Sequence, residues 1–578
     1  MYLKKLLFLT LFLIFNIKYI SLSLSYELPK PLKNNDILIY KEIFLAQQNG
    51  NFEKADKLIS LIKNDLLQGR VLAQRYLHPK AYISKFSELK TWLDSYNDHP
   101  SASRIYWLSK RKKPKNANLP KKPTGGYLSG FGSSGETLLR PPIPASYSGR
   151  SAPSITKDVA LQIRRNIRRS WPTGALSVLN SSRSLKYLTR KEEAQLFWEV
   201  ANGYLIFNKN LEAVTQASKS IRLSDGKKDV AWFTAGLASW RMGDIKRAGY
   251  FFTNLANLDS ANASVRSAGA YWASRVALLN KNPSEAIRLL SIAAKDHESF
   301  YGQLGLSALG QESALKFDLP HISNDFIHWL SQTKGGERAF AFIQVEEYWH
   351  ADRELRKIYS KIPEKYHLEL MAFASIYGMP SLSYRLADLE RRKTGKKWLG
   401  ALYPEFIISN KEKYRDLPLL LAIIRNESRF DQRGKSPASA QGLMQILPST
   451  ASFIMKDKRY RGKMRHDLLI PEISFEIGEK YIIHLLEEKI VDNDIVMLLA
   501  AYNGGPGNLK KWTKSLEFQN DPLLLIETIK SRETRAYIKS VMTNLFIYRK
   551  KMGFKSIETK LLSSGGWATY NKNPKMLN

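Results

Sequence analysis

The chain has 578 residues, 44% of them apolar, and its mean hydropathy of -0.33 is typical of a soluble globular protein with about three domains. The absence of cysteine excludes disulfides, thiolate metal sites and cysteine nucleophiles. The net charge of +36 indicates an anionic partner, such as a wall polymer or a membrane surface. No nucleic acid partner is predicted, because the basic residues are scattered and accompany no zinc-finger spacing, Walker glycine loop or aromatic RNA-binding motif.

Residues 1–25, "MYLKKLLFLTLFLIFNIKYISLSLS", have the pattern of a secretory signal peptide that is cleaved near Ser25. Two lysines precede an apolar run from Leu6 to Phe15, and small residues follow it. This run is shorter than the roughly 20 apolar residues that span a membrane, so we expect export. An uncleaved membrane anchor is the alternative, because Asn16 and Lys18 interrupt the end of the run.

The remaining chain divides by composition and periodicity. Apolar residues at helical spacing predict N-terminal helical hairpins, and a stretch rich in Pro, Gly, Ser and Lys then predicts a mobile linker or surface insertion. Helical periodicity returns and continues into a compact C-terminal domain with a polar tail. The predicted boundaries are hairpins 26–109, linker or insertion 110–156, repeat-like helices 157–396, C-terminal domain 397–556 and tail 557–578.

Three segments within the repeat-like region share one build. Residues 192–218, 229–256 and 269–295 each contain an apolar helix with Trp or Tyr, a tight turn and a second amphipathic helix. Their spacing resembles that of tetratricopeptide-like helical pairs, and small residues such as Gly236 allow paired helices to approach closely. An irregular α-solenoid with a concave surface is therefore predicted.

The C-terminal domain carries an apolar helix that ends at a lone carboxylate. Pro418 opens the helix, "LLLAIIRNESRF" follows, and Glu427 lies on the face of Ile423. A carboxyl on an apolar face loses hydration, which raises its pKa towards the range of a general acid at neutral pH. By itself, a glutamate near a helix end is more often a solvated or paired residue.

The residues that follow favour a binding cleft. The turn at Ser436 and the small residues after it leave room for a flat polar ligand, and Gln445 offers both a donor and an acceptor. Further along, Tyr502 and Asn503 end another apolar helix just before a Gly-Gly-Pro-Gly break, where side chains stand at a cleft rim.

Three segments, "NESRFDQRGKSPASAQGLMQILPSTA", "AAYNGGPGNLKKW" and "ETRAYIKSVMTNLFIYR", together resemble the catalytic domain of the soluble lytic transglycosylases. The resemblance implies an all-α fold, in which an N-terminal α-superhelix, a helical-pair solenoid or ring, precedes a lysozyme-like catalytic domain. It also implies a periplasmic enzyme that cleaves the β-1,4 MurNAc–GlcNAc bond of peptidoglycan without water, leaving 1,6-anhydromuramic ends.

The resemblance also assigns roles to individual residues. Glu427 matches the catalytic acid and base, which is single because the sugar supplies its own nucleophile. Tyr502 matches a tyrosine that hydrogen-bonds and orients this carboxylate. The remaining substrate-binding candidates are Ser436, Met444, Gln445, Asn503 and Glu533. For Glu533, a buried ion pair with Arg535 or Arg532 is the competing interpretation.

Two other functions stay open on the sequence. A hydrolytic muramidase could use the same scaffold, with Asp431 as the nearest candidate to activate water. A wall-binding scaffold with a vestigial enzyme domain is the second, although retention of Glu427 and Tyr502 argues against it. No metal or cofactor is predicted, since the segment at Asp492 lacks the glycine and terminal glutamate of a calcium loop. We expect a monomer with peripheral association to the wall or outer membrane.

Overall fold

The computed structural model describes residues 28–130, 154–181, 187–408 and 411–570. The predicted signal peptide lies outside the described residues. None of the described helices combines the length and the apolar character needed to cross a membrane.

The described residues form helices joined by short turns, with isolated β-bridges and no β-strand among them, so the predicted all-α fold is confirmed. The helices of the first half of the chain are α1 (Asn34–Gln48), α2 (Phe52–Ile59), α3 (Gln68–Tyr76), α4 (Phe86–Tyr96), α5 (Ala102–Lys112), α6 (Ser154–Arg168), α7 (Pro172–Leu179), α8 (Arg190–Ile206), α9 (Asn210–Leu223), α10 (Asp229–Arg241), α11 (Ile245–Ala256), α12 (Ala263–Leu279), α13 (Pro283–Ala294) and α14 (Phe300–Ala308). The helices of the second half are α15 (Asn324–Ser331), α16 (Lys334–Gln344), α17 (Tyr348–Ile358), α18 (His367–Ile376), α19 (Pro380–Thr394), α20 (Leu399–Leu402), α21 (Leu417–Glu427), α22 (Pro448–Ile454), α23 (Pro471–Glu487), α24 (Ile495–Gly504), α25 (Pro506–Ser515), α26 (Pro522–Thr528), α27 (Arg532–Lys551) and α28 (Ile557–Ser563).

The chain forms two compact units, each built from two separate stretches of sequence. The first combines the start of the chain up to residue 131 with 319–407, and the second combines 132–318 with 408–578. The predicted repeat-like region 157–396 is therefore divided between the units, because helices α15–α20 pack with the N-terminal hairpins instead of continuing the solenoid.

Buried polar contacts join the two stretches of the first unit. Arg338 on α16 donates to Glu354 on α17 at 2.8 Å and to Asp98, just after α4, at 3.0 Å. Gln344 exchanges two hydrogen bonds of 2.9 Å with the backbone of Leu32. The Arg338–Asp98 and Gln344–Leu32 pairings link residues more than 200 positions apart, and local periodicity does not predict them.

Residues 113–130 belong to the segment predicted as a mobile linker or insertion, and the structure places them against α17. The amide of Leu128 donates to the carbonyl of Arg356 at 2.9 Å, and the Arg356 guanidinium donates to the carbonyl of Gly130 at 2.7 Å. The ammonium of Lys357 donates to the carbonyl of Thr124. This part is a bound surface loop, not a free linker, and residues 131–153 lie outside the described part of the chain.

Helical hairpins build the solenoid half of the second unit, as the three repeated segments predict. Each of the turns α8–α9, α10–α11 and α12–α13 has a residue in the left-handed region, namely Asn208, Gly243 and Lys281. Gly236 on α10 packs directly under Phe252 on α11, where an added Cβ would lie 2.4 Å from the ring. Only glycine permits this helix spacing.

The C-terminal half of the second unit, residues 408–578, is built around the contact between α21 and α27. Asp416 caps α21 by accepting from the amide of Leu419 at 3.1 Å, and its carboxylate pairs with Arg549 at the far end of α27. Midway along, Asn544 accepts from Arg425 at 2.6 Å. Because these groups are buried and mutually satisfied, they fix the register of the two helices.

A buried chain of hydrogen bonds connects the solenoid to the C-terminal half of the second unit. The Trp272 indole donates to the Tyr301 hydroxyl at 3.0 Å, and that hydroxyl donates to Glu527 at 2.7 Å. Glu527 in turn pairs with the Lys539 ammonium of α27 at 2.8 Å. The solenoid therefore supplies polar partners that hold α26 and α27 in place.

Residues 557–570, predicted as a polar tail, contribute a helix and a backbone clasp. The amide of Ile495 donates to the carbonyl of Ala568 at 2.9 Å, and the amide of Tyr570 donates to the carbonyl of Asn493 at 2.7 Å. On α28, the carbonyl of Ser563 accepts from the Tyr271 hydroxyl of the solenoid at 3.1 Å. This segment thus holds the start of α24, the helix whose other end carries two site candidates.

Candidate active site

Helix α21 brings Glu427 to the end of a buried hydrophobic element. Residues 417–425 of this helix are buried, and the helix stops where Arg429 and Phe430 adopt φ values of 52° and 66°. Left-handed conformations cannot continue a right-handed helix, so Glu427 stands at its last turn. The helix predicted from Pro418 onwards is confirmed.

The Glu427 carboxyl sits where water is largely excluded, although part of the side chain remains accessible. Burial raises its pKa from 4.5 to about 7, because the charged form loses hydration. A glutamic acid with such a pKa holds its proton near neutral pH and can still release it, as general acid–base catalysis requires.

Two residues of α27 act directly on this carboxyl. The Tyr537 hydroxyl faces it and lowers its pKa, although the geometry falls short of a formed hydrogen bond. The negative charge of Glu533 raises the same pKa. Both lie on the face of α27 that continues through Ser540 and Asn544 to α21, since they follow the three- and four-residue steps of a helix.

Sequence reasoning missed Tyr537. The available signal is its position four residues after Glu533, which places both side chains on one helical face. Seeing that this face meets Glu427 requires α27 to pack on α21, which only the folded structure provides.

Tyr502 lies beside the acid but is bonded elsewhere. Its hydroxyl donates to the carbonyl of Met444 at 2.8 Å, so the predicted hydrogen bond to the Glu427 carboxylate is not formed. Its ring stacks on Tyr537 with centroids 6.3 Å apart and contacts Tyr481 at 5.3 Å. Burial and the negative charge of Glu427 raise the pKa of Tyr502 well above its usual range.

The Met444 side chain is in the core beneath the site. It has no accessible surface, and it packs so closely on Gly478 of α23 that an added Cβ there would lie 2.0 Å from its sulfur. The predicted contact of this side chain with substrate therefore does not fit the structure. Its carbonyl instead positions Tyr502.

Gln445 and Ser436 belong to the loop between α21 and α22. Gln445 adopts φ 48°, and its side-chain amide donates to the carbonyls of Gly442 at 2.8 Å and Gly434 at 3.2 Å. The Ser436 hydroxyl accepts from the amide of Ala440 at 3.0 Å. Both side chains are half-buried, so they shape the loop and keep some accessible surface.

Asn503 and Glu533 mark the meeting of α24 and α27. The Thr534 hydroxyl donates to the Asn503 amide oxygen at 2.7 Å, which ties the two helix ends together. Glu533 is exposed, whereas Arg535 is buried and donates to the carbonyl of Ile529. The competing interpretation of a buried ion pair between Glu533 and Arg535 is therefore wrong.

Comparisons with known proteins relate this domain to transglycosylases. Residues 405–524 match the family model described as the transglycosylase SLT domain. The soluble lytic murein transglycosylase of Salmonella typhimurium is 29% identical over 308 residues, covering 51% of this chain and 45% of that protein. Its Escherichia coli K12 counterpart is 28% identical over 305 residues, with the same coverage of both chains.

Residues 405–524 therefore form a transglycosylase SLT domain.

Two solved lytic transglycosylase structures have a similar fold. Lytic transglycosylase Slt from Pseudomonas aeruginosa matches with a TM-score of 0.53 and 18% identity, covering 90% of this chain and 87% of that one. The 70 kDa soluble lytic transglycosylase from Escherichia coli matches with a TM-score of 0.52 and 16% identity, covering 93% and 100%. At these identities the likeness concerns the fold, and by sequence the chain spans about half the length of the curated relatives it matches.

Across the described ranges, no group of three or more His, Asp or Glu side chains is arranged to hold a metal ion. The arrangement around Glu427 instead combines a protonatable carboxyl, stacked tyrosines and a second, exposed carboxylate. Such a set can donate a proton and take one back.

Proposed function

We propose that this protein is a lytic transglycosylase that cleaves the β-1,4 bond between MurNAc and GlcNAc in peptidoglycan and leaves 1,6-anhydromuramic ends. The observation that carries the proposal is the Glu427 carboxyl, which is partly accessible and has a pKa raised to about 7 by burial. The match to the transglycosylase SLT domain, the sequence similarity to lytic murein transglycosylases and the similar fold support the same activity.

In the first step the Glu427 carboxyl donates its proton to the glycosidic oxygen as the bond to C1 breaks. The N-acetyl group of the muramic sugar stabilises the positive charge that develops at C1. In the second step the Glu427 carboxylate removes the proton of the C6 hydroxyl while that oxygen bonds to C1. The proton returns to Glu427, water is not consumed, and an internal nucleophile of this kind has a high effective molarity.

The surrounding residues suit this cycle. Tyr537 faces the carboxyl and favours its charged form, whereas burial and the charge of Glu533 favour the protonated form. These opposing effects keep the pKa near 7, so that donation and removal are both accessible at neutral pH. Tyr502 holds the neighbouring wall through Met444, and Glu533, Gln445, Ser436 and Asn503 are the residues proposed to contact the sugars.

A hydrolytic muramidase is the second candidate, because Glu533 provides a carboxylate close enough to act on the pKa of Glu427. Hydrolases of this kind use a second carboxylate to activate water or to attack the sugar. Loss of the Glu533 carboxylate should therefore abolish hydrolysis, whereas the transglycosylase reaction should retain chemistry and lose affinity for the strand.

The deciding experiment is mass spectrometry of peptidoglycan digested in water enriched in oxygen-18. We expect the native protein to release muropeptides that are one water lighter than hydrolysis products and carry no oxygen-18. The Glu427→Gln variant should release no muropeptides. Glu517→Gln, which changes an exposed glutamate of the same unit, is the matched control and should match the native protein. Labelled reducing ends would instead establish the hydrolase, and digestion by neither protein would leave a wall-binding scaffold.

Export to the periplasm, peripheral association with the wall or outer membrane, and a monomeric state are proposed together with this activity. Substrate in the wall requires an exported enzyme, and the net charge of +36 suits an anionic wall.

A further inference from the structure

A cavity of about 40 Å³ lies across α27 from the candidate active site, between the solenoid and the C-terminal half of the second unit. Helices α8 and α10 form one wall, and α26 with the start of α27 forms the other. A cavity of this size holds roughly three water-sized groups, which is the size of a carboxylate with one attached carbon.

Helix α27 presents different chemistry on its two faces. Glu533 and Tyr537 are four residues apart and face Glu427. Arg532 and Arg535, three residues apart, line the cavity, and Lys539 continues that face to its pair with Glu527. The cavity is therefore separate from the proposed glycan site, although one helix forms a wall of both.

Arg535 is a buried cation without a carboxylate of its own. It is 4% exposed, and its guanidinium donates to the carbonyl of Ile529. In the described part of the chain its other donors make no further hydrogen bond, and they are not sealed from the cavity. Glu527 attracts it, but both oxygens of that carboxylate already accept from Lys539, and one also accepts from the Tyr301 hydroxyl.

The balance of charge around the cavity is positive. Burial lowers the pKa of Arg535 to about 10. The negative charge of Glu527 raises this pKa, and the positive charge of Arg532 lowers it further. Buried charges are ordinarily compensated by a partner, and two buried cations, Arg535 and Lys539, stand around the single buried carboxylate of Glu527.

The solenoid wall supplies a rigid and partly polar surface opposite Arg535. The Trp198 indole donates to the Thr234 hydroxyl at 3.0 Å, which fixes its ring at the cavity. Asn202 is half-buried, and its side-chain amide makes no hydrogen bond to any residue within the described ranges. An amide and a guanidinium that line one cavity together with an aromatic ring suit a flat anion.

We propose that this cavity binds a small carboxylate, held by the Arg535 guanidinium on one side and the Asn202 amide on the other. The carboxylate is either a free anion or the terminal carboxylate of a larger ligand. Planar guanidinium groups bind carboxylates through paired hydrogen bonds, which a lysine cannot reproduce.

The test is saturation-transfer NMR on the full chain, with acetate as the probe and chloride holding the ionic strength constant. We expect saturable binding that weakens at least about tenfold in both Arg535→Lys and Asn202→Leu. Asn202→Leu fills the cavity from the solenoid side, so it tests the site even if the arginine variant folds poorly. Lys530→Gln removes an exposed charge that does not line the cavity and should leave the affinity unchanged.

Acetyl-alanine and its amide separate the two sources of the carboxylate. Competition by acetyl-alanine but not by the amide would assign the site to the end of a larger ligand, and competition by neither would assign it to a free anion. Binding that does not saturate, or that is equal in all variants, would overturn the proposal. The readout is independent of glycan cleavage, so failure of the proposed enzymatic function would leave it unaffected.

Discussion

Replacing Glu427 by glutamine is expected to stabilise the protein while abolishing its activity. The carboxyl has a pKa of about 7 in the folded state against 4.5 as its ordinary value, because burial disfavours its charge. The native state therefore holds the proton more tightly than the unfolded state does. Between pH 4.5 and 7 the free energy of unfolding falls as pH rises. Above pH 7 the folded protein bears the whole cost of burying the charged Glu427 carboxylate.

The magnitude follows from the size of that shift. At 1.36 kcal/mol per unit, a rise from 4.5 to about 7 corresponds to about 3 kcal/mol. Because part of the side chain is accessible, solvent screening reduces this to about 2 kcal/mol. Glutamine has nearly the same shape and carries no charge, so Glu427→Gln should gain this amount above pH 7 and nothing near pH 4.5.

Scanning calorimetry at pH 4.5 and pH 8 measures the effect as a difference between variant and native protein. For a domain of about 150–250 residues, a gain of about 2 kcal/mol in the free energy of unfolding raises the unfolding temperature by about 4–8 °C at pH 8. Other buried carboxyls, such as Asp494, are common to both proteins and cancel. Glu517→Gln should show no pH-dependent gain. A Glu427→Gln variant no more stable than the native protein at pH 8 would refute the desolvation argument.

Four further outcomes follow from the same contacts. Tyr537→Phe should move the alkaline limb of the pH–rate profile to higher pH, because the hydroxyl lowers the pKa of the acid; an unmoved limb would contradict this. Asp416→Ala should lower the free energy of unfolding, measured with urea, by about 3–5 kcal/mol, because the buried Arg549 then keeps only its ion pair with Glu558. Gly478→Ala should lower the free energy of unfolding by about 1–3 kcal/mol, because the added methyl group displaces Met444. Since the Met444 carbonyl positions Tyr502, the same change should raise KM in initial-rate kinetics. Binding to purified sacculi should fall between low and high salt, and salt-independent co-sedimentation would refute the electrostatic contribution.

Local pattern predicted the helices well. Pro418 and the apolar run after it predict α21, because a helix start and the helical spacing of apolar residues are both local features of the sequence. The solenoid hairpins were predictable for the same reason, since a helix, a turn and a helix recur within a short stretch. Glu427 followed from its place on a buried face.

Pairings between distant segments were beyond the reach of such patterns. Tyr537 acts on Glu427 only because α27 packs along α21, and α27 begins more than 100 residues later. Met444 was assigned to substrate binding because its motif resembles that of the family, but its own side chain fills the space over Gly478. Likewise, the loop 113–130 has no apolar periodicity, yet Arg356 holds it through backbone carbonyls that any sequence would offer.

The Trp272–Tyr301–Glu527–Lys539 chain bears on how separable the enzyme is from the rest of the protein. An engineered catalytic fragment beginning at α21 would lose Tyr301, and the Glu527–Lys539 pair would face water along a newly exposed surface. Since that pair lies on the helix that also carries Tyr537, trimming the solenoid would loosen the wall behind the acid. Transplanting this activity into another scaffold therefore calls for grafting α12 and α14 along with the enzyme, or for redesigning the inward face of α27 as apolar.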